Sequence, residues 1–164
     1  MTALNVYQVQ AVYEPLCAQY GVDLALMLAM VQRESNYDPS AVGTSGELGM
    51  AQLTRSAWIT VWNAKADFQT EARVLTLNAE THIRYYLWCE GLVKSNGQLR
   101  TEWYVAAYNC GVGRTWAAKT FRDLPASTQG YVADVMRYWE QHSVRLFAEA
   151  TALDFAWKKQ SWMI

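Results

Sequence analysis

Residues 23–35 read Asp23-Leu-Ala-Leu-Met-Leu-Ala-Met-Val-Gln-Arg-Glu34-Ser35. From Leu24 to Val31 every side chain is apolar. Such a run is well short of the roughly 20 residues a membrane span needs, and too uniform for a helix with one wet face. Asp23 supplies a short acceptor side chain for the unpaired N–H groups of a first helical turn. A helix that is apolar nearly all round must be wrapped by others, so the stretch predicts the central helix of a mainly α fold. Glu34 closes it. A carboxyl at the edge of a core loses hydration, which favours its neutral form and suits it to donate a proton near neutrality. By position alone, an ordinary surface residue just past a core helix is the better reading of Glu34.

Upstream, Val6, Val9, Val12, Tyr13, Leu16, Cys17 and Tyr20 recur at three- and four-residue steps and form one helical face ending at Gly21, with Pro15 expected to bend or split it. Downstream, 36–49 carries Pro39, Gly43, Gly46 and Gly49 and reads as a loop or irregular lobe. From Phe68 to Glu90 there is no Gly or Pro, and Leu75, Ala79, Ile83, Tyr86 and Leu87 make a stripe, which predicts one long helix stopping at Gly91. Lys94 to Arg100 reads as a turn, Trp103 to Tyr108 as a short apolar helix, and Gly111 to Gly113 as an interruption. Tyr131, Val132, Val135, Trp139 and His142 mark a further helix running to Phe147, and a separate last helix over 148–164 would carry Phe155, Trp157 and Trp162. No alternating strand pattern and no internal repeat appear, so 164 residues are expected to form a single, mainly α domain.

Fourteen basic against fifteen acidic residues leave a net charge of -1, so no global field draws the chain to nucleic acid or anionic lipid. Binding must come from a local site. Eight Trp and ten Tyr suit sugar faces as well as cores. Cys17, Cys89 and Cys110 have neither zinc-ligand spacing nor an evident disulfide framework and are read as free thiols. His82 and His142 sit in no ligand pattern, so both are read as structural, and no metal or cofactor is expected.

Four ordered motifs change the weight on Glu34. Glu34-Ser35 is followed by Gly46, by Gly49-Met50-Ala51-Gln52-Leu53, by Ala107-Tyr108-Asn109-Cys110-Gly111, and by Ser127-Thr128-Gln129-Gly130-Tyr131-Val132. In order and spacing this resembles the lytic transglycosylase family related to goose-type lysozyme, over about residues 6–138. The resemblance implies a lysozyme-like helical domain with a substrate cleft that acts on peptidoglycan glycan strands. It implies that Glu34 protonates the oxygen between N-acetylmuramic acid and N-acetylglucosamine, then takes a proton from the muramic C6 hydroxyl, which closes a 1,6-anhydro ring. Gly49, Met50, Gln52, Tyr108, Asn109 and Tyr131 are the expected substrate-binding residues, Tyr108 directing its hydroxyl to the sugar or to Glu34. The chain departs from the family at Gly43, commonly Ser, at Ala51, commonly Met, and at Thr54 and Ser127.

Two other readings stay open. A hydrolytic lysozyme needs a second carboxylate to position water, for which Asp38 and Glu47 are the candidates. A non-catalytic glycan-binding or structural module of a phage particle, with phage assembly partners, is the other. The first Lys or Arg is Arg33, so a basic leader is not evident, and a phage endolysin or virion lysin acting at the bacterial wall is the expected setting. A trimmed periplasmic enzyme is the alternative.

Overall fold

A computed structural model describes residues 3–62 and 67–161, with side chains as far as Leu153. Helix α1 (Val6–Tyr20) opens on a reciprocal cap, in which the Asn5 side chain accepts from Gln8 N and the Gln8 side chain accepts from Asn5 N, both at 3.0 Å. Pro15 does not split it. Ala11 and Pro15 both lie on the exposed face, so the carbonyl left without the proline's missing N–H faces solvent. Helix α2 (Leu24–Ser35) is capped by the Asp23 side chain, which accepts from Leu26 N at 2.8 Å, and Ala25 through Val31 are all buried. Its end is marked by Asn36 at φ 51°, a left-handed position that short polar side chains tolerate.

Helix α3 (Arg55–Trp62) follows the loop, then the single turn α4 (Phe68–Glu71) and the long α5 (Leu75–Ser95). The one helix expected from Phe68 to Gly91 is therefore broken early and runs on late. The break occurs where the buried Asn78 amide takes the Ala72 carbonyl at 2.9 Å. The continuation passes through Gly91, whose cost of roughly 1 kcal/mol a growing helix absorbs, and it buries Val93 completely. Helices α6 (Thr101–Cys110) and α7 (Val112–Ala117) meet at Gly111, and a 3-10 turn (Phe121–Asp123) leads into α8 (Ala126–Ser161).

The expected two terminal helices are one. No Gly or Pro lies between Tyr131 and Ser161, and an Arg145–Glu149 ion pair of 2.7 Å spans the anticipated junction. The side chains of Phe155, Trp157 and Trp162 lie outside the described residues. Among the described residues there is no strand, only isolated bridges from Leu48 to Val42 and to Leu53. The class is thus mainly α. Helix α2 sits at the centre, against α1 on one side and α8 on the other, while α5 and α6 complete the wall. No described helix is long and apolar enough to cross a membrane.

Candidate active site

Glu34 lies in the last turn of α2, partly buried, where α2 packs on α8. The hydroxyl of Tyr131, from the second turn of α8, donates to its Oε1 at 2.6 Å. Burial pushes the Glu34 carboxyl up from 4.5 to about 7, the nearby charge of Glu47 adding to the rise while the Tyr131 hydrogen bond and Arg33 oppose it. Burial also raises Tyr131 well above the ordinary tyrosine range, so its hydroxyl stays a donor. The ring is held from outside: the Arg33 guanidinium lies 5.4 Å from its centre and pairs with Asp134 at 3.0 Å. One carboxyl is thus poised between its two protonation states at neutral pH.

The loop after α2 is fastened to this helix end. Ser35 Oγ donates to the Met50 carbonyl at 2.7 Å and accepts from Asp38 N at 3.1 Å. Asn78, on α5, accepts from Ala51 N at 2.9 Å and donates to the Leu48 carbonyl at 3.1 Å, so its amide fixes the loop from beneath. Gly49 takes φ 76°, and a Cβ there would collide with Asn78 Nδ2 and come within 2.6 Å of the Ala72 carbonyl oxygen. Gln52 holds φ 46°, unusual outside glycine, and both its backbone N–H (3.0 Å) and its side-chain Nε2 (2.9 Å) donate to the Gly49 carbonyl.

Several of the expected residues have other duties in the fold. Tyr108 is buried and its hydroxyl donates to the Ala51 carbonyl at 2.9 Å, so the tyrosine that touches Glu34 is Tyr131. Met50 has no exposed surface and packs in the core. Asn109 is exposed and accepts from Thr128 at 2.8 Å, which ties the end of α6 to the start of α8. Gln52, Tyr108 and Asn109 line one pocket of about 180 Å³ together with Thr54, Tyr85 and Gly111. A larger pocket of about 350 Å³, between Arg100, Trp103, Phe121 and Met136, contains none of the expected site residues.

Asn78 was not anticipated as part of the site. Its signal was present: it falls on the apolar face of α5, three residues after Leu75, where an amide is kept only if it has partners. The histidines are packed inside, His82 Nδ1 at 3.0 Å from the Tyr13 hydroxyl and His142 Nε2 at 2.9 Å from that of Tyr37. The three cysteines are free thiols.

Residues 15–123 match the family model of the Transglycosylase SLT domain, a span that includes Glu34, Gln52, Tyr108 and Asn109 and ends before Tyr131. Membrane-bound lytic murein transglycosylase C of Sodalis glossinidius (strain morsitans) is 33% identical over 105 residues, which are 58% of this chain and 29% of that protein. The crystal structure of an inactive mutant of lytic transglycosylase Slt from Pseudomonas aeruginosa superposes with a TM-score of 0.69 at 20% identity, over 84% of this chain and 24% of that one. The fold is that of the lysozyme-like lytic transglycosylases. The chain spans under a third of the length of either relative.

Proposed function

Because the chain belongs to the Transglycosylase SLT domain family, we propose that it is a peptidoglycan lytic transglycosylase, cleaving the β-1,4 bond from N-acetylmuramic acid to N-acetylglucosamine with Glu34 as acid and base. The observation that carries this reading is the Glu34 carboxyl, raised by burial to about 7 and touched by the Tyr131 hydroxyl at 2.6 Å. A carboxyl of that pKa is substantially protonated at neutral pH, which lets it hand a proton to the departing glycosidic oxygen. Once ionised, it accepts the Tyr131 hydrogen bond more strongly, so the second state is stabilised as the bond breaks. The same carboxylate then removes the proton of the muramic C6 hydroxyl, and attack within the one sugar closes the anhydro ring without a second reactant to be captured.

The pocket lined by Gln52, Tyr108 and Asn109 supports a glycan-binding role for these residues. Gly49 and Gln52, both at positive φ, shape the loop that carries the Gln52 side chain to this pocket. The site of action is the bacterial cell wall. The test is mass spectrometry of soluble fragments released from purified peptidoglycan, beside a Glu34→Gln control. Anhydromuropeptides are expected from the unaltered protein, and their yield should fall at least about a thousandfold in E34Q. Equal yields from both proteins sink the assignment of Glu34.

A further inference from the structure

The pocket lined by Gln52, Tyr108 and Asn109 has a volume of about 180 Å³, below the roughly 300 Å³ of small ordinary ligand sites, so a glycan strand entering it must continue across one of its walls. One wall is Tyr85, on α5. Its ring meets that of Tyr108 edge to face, 5.4 Å between centres, and Tyr108 is itself anchored by its hydroxyl on the Ala51 carbonyl. Tyr85 also stacks on Trp88, one helical turn further along α5, with 5.5 Å between ring centres and 15° between planes. A row of rings in contact thus runs from the buried Tyr108 through Tyr85 to Trp88, whose side chain is 42% exposed. A lone exposed ring needs no explanation. Trp88 is different, because Tyr85 joins it to the pocket and fixes the plane of its indole. Trp116, equally exposed at 45%, has no ring partner among the described residues and lines no part of this pocket.

We propose that Trp88, with Tyr85 stacked on it, is a sugar-stacking subsite next to this pocket, taking the apolar face of an N-acetylhexosamine unit further along a glycan strand. The proposal rests on the glycan-cleaving reading above and deepens it, adding a residue that holds the strand away from the bond to be cut. The ring C–H groups of a pyranose form an apolar face, which leaves water when it lies on a flat aromatic ring while the hydroxyls at its rim stay hydrated. An indole is the largest such ring, and its N–H is a further donor for a sugar hydroxyl. Trp88 touches neither Glu34 nor Tyr131, so it stabilises the bound strand and the transition state alike. Binding of that uniform kind lowers KM and leaves kcat unchanged.

The experiment measures binding of an N-acetylglucosamine hexamer to the full chain by titration calorimetry, beside turnover of soluble peptidoglycan strands, for the unaltered protein, Trp88→Ala, Trp88→Phe and Trp116→Ala. W88A is expected to weaken hexamer binding about tenfold, the loss of one tryptophan anchor, and to raise KM by a similar factor at unchanged kcat. W88F, which keeps a flat ring, should retain most of the affinity, and W116A should match the unaltered protein. An unaltered chain that does not bind the hexamer, or a W88A affinity within about twofold of it, overturns the proposal. So does an equal loss in W116A, or an equal loss in W88A and W88F with a lowered melting temperature, which marks Trp88 as a packing residue. In each of these cases, strand cleavage by the unaltered chain leaves the transglycosylase reading standing. Absence of cleavage products from the unaltered chain overturns that reading instead, and the hexamer titration still decides the subsite.

Discussion

Glu34 and Tyr131 stand 97 positions apart in the chain and 2.6 Å apart in the fold. At this scale the chemistry is a balance on one carboxyl: burial favours its neutral form, and the Tyr131 hydrogen bond and Arg33 favour the charged one. Tyr131→Phe removes one of the two supports of the charged form, so the Glu34 pKa should move above about 7. Since the protonated acid is the working form, kcat/KM is expected to hold to a higher pH in Y131F than in the unaltered chain, while kcat falls about tenfold. A pH–rate profile on a soluble glycan substrate checks this, and an alkaline limb that stays put or moves down contradicts the assigned hydrogen bond. Glu34 itself was legible from the four ordered motifs that begin with it, not from its place after an apolar run. Its tyrosine partner was not, because Tyr108 and Tyr131 both sit in plausible motifs and only the α2–α8 packing chooses between them.

The elements are fixed less by their own propensities than by a few side chains that occupy backbone groups between them. Asn78 uses its one acceptor and both donors on Ala51 N, Leu48 O and Ala72 O. It ends α4, starts α5 in register and holds the 48–53 loop at once. Asn78→Ala leaves one N–H and one carbonyl unpaired in a place that is 1% exposed, since the Leu48 carbonyl keeps the Leu53 N–H at 3.1 Å, so a loss of about 3 kcal/mol is expected from urea denaturation. A loss below about 1 kcal/mol means the loop finds other partners by itself. The same logic explains the misread boundaries. Helical periodicity shows α1, α2, α5 and α8, but it predicts a bend or split at Pro15 and a stop at Gly91, where exposure makes proline and glycine tolerable. The break before α5 carries no local stop signal, since a long-range amide causes it.

Among the described residues, buried groups that titrate between acid and neutral pH are shifted in opposite senses, His82 and His142 downward and Glu34 upward. His82 is fully buried and pushed down from 6.5 to about 3, so the unfolded chain binds the proton more readily and stability is lost as pH falls through that window. Glu34 is raised from 4.5 to about 7, so the folded chain keeps the proton longer and stability is lost as pH rises through its own window. Between 4.5 and 6.5 the two slopes, each about 1.4 kcal/mol per pH unit, have opposite signs and largely cancel. The unaltered protein should therefore show across this range only the smaller acid-side loss that His142, also pushed down by burial, leaves uncancelled. E34Q, left with His82 and His142, should lose at least about 1.4 kcal/mol for each unit of acidification there, and His82→Gln should lose less towards acid than the unaltered protein. Parallel pH dependence in all three proteins would show that neither residue carries the assigned shift.

Residues 23–35 and the four motifs determined, without any structure, that the chain is mainly α, that α2 is its central helix and that Glu34 is the acid to watch. These are properties of local order, since an apolar run must be wrapped whatever wraps it, and motif spacing survives reading in one dimension. Tertiary structure alone decided that Tyr131 reaches Glu34, that Tyr108 is spent on the Ala51 carbonyl, that Met50 is sealed in the core and that Glu47 fills the space above Gly43. Each depends on how α2, α8 and the loop after α2 close on one another. Hydrogen bonds and burial between distant residues follow from that closure, and no periodicity along the chain encodes them.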